Sequence, residues 1–406
     1  MPMKRMRAVV SMALVAGGLL LTLPVAVAAQ GLNDTIGRII GGRPGSNCNE
    51  LGGPGNTTGN LAANLCRGIP NSTDGSGAGG TPTLDSQLGQ SQEQRRQADR
   101  LAERRNGQGG AADQPGTGFG LFVNGDYQFL NKDNTKFESG FEQHTAGTTV
   151  GADYSFGGRA VVGAALSYAH EFGDFTGVGG GFDNDAFGLT LYGTVVPVKN
   201  LFVDAFVGYA RKEYSIDRRI SFSFPVNAGA NTFAAMGRID GKTHSDEFNV
   251  GTVIGYDFVI KNVTVGPRVG VNYLDRRIAG YQENGDTGLE LIYGNQNISS
   301  LTTTAGLFAS VAINTKWGVL VPQATGEYVH EFLNDQRTVG FQFVDTINRL
   351  RFRFQTDEPD RNFFNLGIGA VFVLPGGMSA FVNVRELVGY STRRATNVTA
   401  GLRLAF

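Results

Sequence analysis

The sequence predicts an all-β fold: a twelve-stranded antiparallel transmembrane β-barrel of up-and-down topology. Three observations predict it. From Gly118 onward, apolar and polar residues alternate with a period of two, segment after segment. The connections between those segments are alternately very short and long. The chain also opens with an export signal, which gives an apolar-faced sheet a membrane to enter.

That signal is residues 1–28. Lys4, Arg5 and Arg7 precede an apolar run from Ala8 to Leu23, and Ala26-Val27-Ala28 is a small-x-small cleavage site. The run is too short for an anchor helix, and no later segment is apolar for long enough to span a bilayer as one. Its removal takes away three positive charges and no negative ones, so a formal charge of −1 becomes −4. That balance gives no electrostatic reason to expect nucleic acid.

Residues 29–82 are rich in Gly, Asn, Ser, Thr and Pro and lack the apolar content for a core, so they read as a leader. The chain's two cysteines, Cys48 and Cys66, lie within it. In an exported protein a disulfide between them is the simplest reading, worth roughly 3 kcal/mol. A metal pair is the weaker one, because no His or further Cys lies nearby.

Residues 83–107 change texture to Gln, Arg, Glu, Ala and Leu, good helix formers, with Asn106-Gly107 as a stop. The apolar stripe is thin: Leu84 with Leu88, and Ala98 with Leu101 and Ala102. A helix polar nearly all round is solvent-bridging or housed somewhere polar.

The barrel is read over 115–406. Its alternating segments are 118–129, 145–156, 160–172, 185–197, 200–213, 246–260, 262–276, 299–314, 317–331, 362–374, 379–389 and 396–406. One face is continuously apolar and ends in Tyr or Phe, whereas the other carries Gly, Asn, Thr and a charge. In the last segment Val398, Leu402, Leu404 and Phe406 share the apolar face, and Arg403 lies on the other. The connections around 214–245 and 332–361 are the longest and read as polar loops. A soluble sandwich also alternates, but its loops have no reason to sort by length onto two sides. Glycine is abundant (59 residues) without a Gly-X-Y period, which excludes collagen; within strands it marks close backbone approach or a tightly curved wall. Tyr127, Tyr154, Tyr168, Tyr209, Tyr256, Tyr273 and Tyr328 end apolar faces and read as girdle residues at the bilayer interface. The inward faces bring Asp126, Asp153, Asp204, Asp257, Arg268, Glu327 and Arg403 to a polar lumen.

No catalytic, cofactor or metal site is expected. "GRIDGKT" (237–243) has three residues between its glycines where a phosphate loop needs four, and there is no G-x-S-x-G or H-E-x-x-H. "HEF" recurs, at His170-Glu171-Phe172 and His330-Glu331-Phe332, but neighbours on a strand point to opposite faces. Each His is thereby split from its Glu, and interfacial residues are the better reading.

The stretches "LFVDAFVGYARKEYSIDRRI", "VGPRVGVNYLDRRIAGYQENG", "GVLVPQATGEYVHEFLNDQRTVGFQFV" and "RNFFNLGIGAVFVLPGGMSAFVNVREL" resemble the translocator of type V autotransporters over roughly residues 115–406. The final "LRLAF", with Leu402, Leu404 and Phe406, resembles the terminal aromatic signal read by the barrel-assembly machinery. The resemblance implies a twelve-stranded barrel whose pore holds one helix, linked to an upstream passenger. Residues 84–105 sit where that helix belongs, and its Arg95, Arg96, Arg100, Arg104 and Arg105 would meet the lumen acids at low dielectric. Some family members cleave the passenger at asparagines on that helix; residues 84–105 contain none. Residues 29–82 are too few for the stacked repeats of a usual passenger.

The expectation is therefore an outer-membrane barrel that translocates or displays a short N-terminal segment. The alternative is a passenger-less pore or structural barrel with interacting loops. By resemblance its partners are outer-membrane lipid and lipopolysaccharide and, during biogenesis, the barrel-assembly machinery and periplasmic chaperones. A monomer is expected, with a periplasmic C-terminus and extracellular long loops.

Overall fold

The computed structural model describes residues 118–406 apart from 136, 139, 158, 177–178, 227–230, 288–289, 334 and 345–351. The signal, the leader with Cys48 and Cys66, and the arginine-rich helix lie outside these. The strands are β1 (Gly118–Lys132), β2 (Phe141–Phe156), β3 (Ala160–Phe175), β4 (Gly180–Val198), β5 (Leu201–Val226), β6 (Asn231–Tyr256), β7 (Phe258–Ile260), β8 (Val263–Ile278) and β9 (Tyr281–Asn284). They continue as β10 (Leu291–Tyr293), β11 (Gln296–Val311), β12 (Ile313–Thr315), β13 (Gly318–Glu331), β14 (Thr338–Phe343), β15 (Phe352–Gln355), β16 (Asn362–Val373), β17 (Met378–Val388) and β18 (Arg393–Ala405).

Twelve staves close a barrel, with β6–β7 and β11–β12 counting as one stave each. β1 pairs antiparallel with β2 on one side and with β18 on the other, from Gly120↔Ala405 to Lys132↔Arg393. That seam removes the unpaired edge that hydrocarbon cannot solvate. The two interruptions have one cause. Pro267, which has no N–H for the ladder, lies opposite Tyr256, next to the break at Asp257, and Pro322 lies opposite Val311, next to the break at Ala312. The N–H groups at the two breaks point to the stave on the other side, where they prolong the ladder by one bond each, Asp257 to Asn200 O (2.9 Å) and Ala312 to Asn262 O (2.8 Å).

The alternation of sequence becomes an alternation of faces. Outward-pointing Leu402, Leu404 and Phe406 are exposed, as are Phe119, Leu121 and Val123 on the neighbouring stave. Tyr127, Tyr168, Tyr209, Tyr273 and Tyr328 point outward toward the long-loop rim; Tyr154 and Tyr256 do so at the short-turn rim. At the long-loop rim a tyrosine hydroxyl repeatedly bonds a polar residue one pair further out on the next stave. Tyr168 donates to Asp185 (2.7 Å), Tyr209 to Asp246 (2.5 Å) and Tyr328 to Asn362 (2.5 Å), and the Tyr127 hydroxyl meets His144 Nδ1 (2.6 Å). Such pairs mark where the apolar belt meets water.

The interior wall is smoothed by direct cross-strand pairs of an aromatic with a glycine: Phe122↔Gly151, Tyr192↔Gly163, Phe206↔Gly251, Phe202↔Gly255 and Phe381↔Gly401. A Cβ at Gly255 would lie 2.2 Å from the Phe202 ring, so the ring lies flat only because the side chain is absent. The glycines thus keep these rings against the wall and out of the lumen.

The long-loop side departs from the reading of 214–245 and 332–361 as polar loops. β5 and β6 continue far beyond the belt as one hairpin, paired from Leu201↔Tyr256 to Val226↔Asn231. β9, β10, β14 and β15 add a further sheet along it, through Asp240↔Asn284, Tyr293↔Tyr281, Leu291↔Phe343 and Phe341↔Phe352. The inward parity of the barrel persists there, so Ile239, Leu291, Tyr293, Val339, Phe341 and Phe343 are buried.

Candidate functional site: the lumen and its closed mouth

The lumen is zoned along its axis, because each stave carries its inward residues in order. At the short-turn end the zone is charged and aromatic. Arg403 on β18 donates to both carboxylate oxygens of Asp153 on β2, each at 2.7 Å, and the Tyr192 hydroxyl donates to the same carboxylate at 3.2 Å. Arg268 reaches Asp257 at 3.3 Å and lies over the rings of Phe308 and Phe202, 4.1 and 5.0 Å from their centroids. Asp204 accepts from the Thr194 hydroxyl (2.8 Å).

Above it lies a zone of carboxamides and hydroxyls: Asn124 and Gln128 on β1, Asn249 on β6, Asn272 on β8 and Asn365 on β16. The side-chain oxygen of each is buried and accepts no hydrogen bond among the described residues. Such oxygens are costly unless something donates to them. Asp126 lies in the same zone, its carboxylate beside Gly147. Glu327 faces Arg385 across 3.8 Å.

Three of the five lumen acids have a cation in the wall: Asp153 pairs with Arg403, Asp257 with Arg268, and Glu327 with Arg385. The two HEF repeats are divided by strand parity. His170 Nδ1 meets Asp185 Oδ1 (3.0 Å) and His330 Nδ1 meets Asn362 Oδ1 (2.7 Å), both on the outer surface. Glu331 is buried on the inner side, bonded to the Ser300 hydroxyl and the Leu301 and Leu333 N–H groups.

Two further zones escaped the sequence reading. Glu247 is fully buried between Arg276, which donates to it through two nitrogens, and Lys212 at 3.9 Å. Beyond this, Leu130, Phe141, Phe175, Ile216, Val329, Phe363, Leu387 and Ala395, from eight staves, form one buried apolar cluster. Lys132 stands one inward position past Leu130 and is 1% exposed. It binds Asp357 at 2.7 Å and Glu138 at 3.3 Å, while the Thr135 hydroxyl donates to the other Asp357 oxygen. The signal was present: extending the parity of Asp126 and Asp204 past the belt gives Leu130, Lys132, Lys212 and Ile216.

Beside the mouth, Arg218 binds Glu283 at 2.5 Å, and Glu283 also accepts the Leu291 N–H. Burial opposes the Arg218 charge, but the Glu283 carboxylate outweighs it and holds the guanidinium pKa above its ordinary value. Burial first, then Glu283, raises the pKa of the stacked Tyr281 and Tyr293, whose centroids are 4.8 Å apart.

Comparison with known proteins gives a consistent picture. The family described as Autotransporter beta-domain matches residues 121–385. The chain is 22% identical over 304 residues to Outer membrane protein B of Rickettsia prowazekii, covering 71% of this chain and 17% of that protein. It is 23% identical over 306 residues to the uncharacterized protein YaiT of Escherichia coli, covering 73% of this chain and 28% of YaiT. The chain thus spans less than a third of the length of either. Among solved structures, the translocator domain of the autotransporter NalP from Neisseria meningitidis superposes with a TM-score of 0.57. The two are 14% identical, and the superposition covers 79% of this chain and 97% of the NalP domain.

Proposed function

Because the chain belongs to the autotransporter β-domain family, an outer-membrane β-barrel family, we propose that its barrel translocates or displays the short N-terminal segment, residues 29–82, at the cell surface. One observation carries this: five buried carboxamide oxygens ring the middle of the lumen and lack donors among the described residues. Residues 84–105 offer donors in Arg95, Arg96, Arg100, Arg104 and Arg105, whose guanidinium groups carry five N–H each. Seated there, the segment points the leader at the long-loop mouth, through which it passes while the apolar cluster is parted. In this reading the short turns and the C-terminus are periplasmic and the long loops extracellular. The barrel-assembly machinery then reads Leu402, Leu404 and Phe406 on their way into lipid. The work done is passage and display, with no bond made or broken, so no catalytic residue is assigned.

An epitope tag between Cys48 and Cys66, followed by protease shaving of intact cells, tests this. Shaving of the tag supports display. A tag protected until the outer membrane is breached overturns it and leaves the second reading, a passenger-less barrel. The buried apolar cluster across the long-loop mouth favours that second reading, since a threaded chain must pass it.

A further inference from the structure

The long-loop mouth is closed by two layers that differ in chemistry. The inner layer is the apolar cluster, to which eight staves each give one side chain. The outer layer is ionic and joins parts of the chain far apart in sequence. Lys132, at the end of β1, reaches Asp357 on the strap 356–361 that links β15 to β16. In the barrel wall β17 and β18 stand between β16 and β1, so the strap must cross the top of both to meet Lys132. It is fastened along the way: Ser391 N–H donates to Asp360, Asp360 N–H donates to the Tyr390 hydroxyl (3.3 Å), and Tyr390 packs against the apolar cluster. The β1–β2 loop closes from the other side, where Glu138 binds Lys132 and Thr135 binds Asp357.

We propose that Lys132 is the keystone of a latch, made with Asp357 and Glu138, that holds the strap across the mouth and keeps the lumen sealed at that end. The charges explain why one residue matters. Lys132 is the cation that bridges the two carboxylates, with the buried Arg393 facing it across the β1–β18 ladder and lying over Tyr390; without Lys132 the strap and the β1–β2 loop lose their shared partner. An apolar seat alone gives adhesion without register; the ion triad fixes which loop lies where. Opening then starts with the parting of Lys132 from Asp357, after which the strap's bonds to Thr135, Tyr390 and Ser391 and the apolar layer beneath it can give way.

Planar-bilayer conductance of the full-length protein tests this, in a two-by-two comparison of Lys132→Met with deletion of 84–105. The latch predicts that the deletion alone conducts as little as the parent, because the mouth stays shut. The combined variant is expected to conduct several-fold more. Full conductance from the deletion alone overturns the latch. Full conductance from Lys132→Met alone leaves the latch standing and removes the lumen-seated helix. Heat-modifiable gel mobility reports whether each variant is a folded barrel. If Lys132→Met does not assemble, Thr135→Cys with Asp357→Cys, in a background with both native cysteines changed to Ser, serves instead. There, the oxidised deletion variant must conduct as little as the parent, and reduction, which leaves Asp357 replaced and the latch unmade, must raise the conductance several-fold; equal conductance in both states overturns the proposal.

Discussion

Arg403 grips Asp153 across an intervening strand. The two belong to β18 and β2, and the stave between them, β1, presents Gly120, where a Cβ would lie 2.2 Å from the Arg403 guanidinium. The last strand is thus tied to the second over the first, so the seam is held by side chains as well as by the backbone ladder. Asp153 is buried and Arg403 nearly so. Arg403→Ala is expected to destabilise the barrel by about 3–5 kcal/mol, the cost of leaving a buried carboxylate unpaired. Arg403→Lys should recover only part, since an ammonium cannot supply the fork. Urea unfolding in vesicles measures both; an unchanged midpoint for Arg403→Ala would show that the pair is incidental to closure.

Gly120→Val tests the same geometry without touching a charge. The new side chain must displace the guanidinium, so its cost should approach that of Arg403→Ala, and the two should not add. Additive losses in the double variant would mean that the glycine acts on something other than the pair.

The outer belt carries a depth-dependent penalty. Leu366 faces outward near the middle of β16 and is half exposed. Leu366→Arg should cost about 2–4 kcal/mol, the range for a cation at the bilayer midplane. The same residue placed at Thr396, at the long-loop rim, should cost about 1 kcal/mol or less. Equal penalties at the two sites would argue against the membrane level drawn through the rim tyrosines.

The sheet beside the mouth should weaken in alkali. Tyr281 and Tyr293 have folded pKa values above the ordinary 10.0, so the folded sheet keeps protons that the unfolded segment loses. A raised folded pKa means that stability is full below about pH 10 and is lost as pH climbs past it toward the folded value. Protection of the β9, β10 and β14 amides, taken relative to their intrinsic exchange rates, should therefore fall above pH 10 while that of the belt does not. Tyr281→Phe with Tyr293→Phe should flatten the dependence, and a slope that survives both substitutions rules these tyrosines out.

Period-two alternation is a local property, and so the staves, their faces and the rim tyrosines could all be read along the chain. Leu402 and Arg403 declare their opposite sides with no knowledge of what they touch. The partners could not be read that way. Asp153 meets Arg403 from 250 positions away, and Lys132 meets Asp357 from 225, through register and closure that no window of sequence contains. The upper parts of β5 and β6 were missed for a different reason. Arg218, Arg219, Lys242 and Asp240 look like loop composition, whereas in the structure Arg218 is buried against Glu283 and the exposed Arg238 shares Asp217 and Asp240. Salt bridges let charged sequence form a strand that polarity alone argues against.

The tall hairpin gives the molecule an uneven skyline. From Tyr209 at the rim to Val226, β5 runs roughly 55 Å along its own axis at ~3.3 Å per residue, and β6 accompanies it throughout. On the proposed orientation, an antibody, a phage fibre or a neighbouring cell meets this crest before it meets the mouth. The lumen zones and the Lys132 latch draw on no named residue of β5 beyond Arg218. The protein can thus vary what it shows to its surroundings without retuning what it does in the membrane.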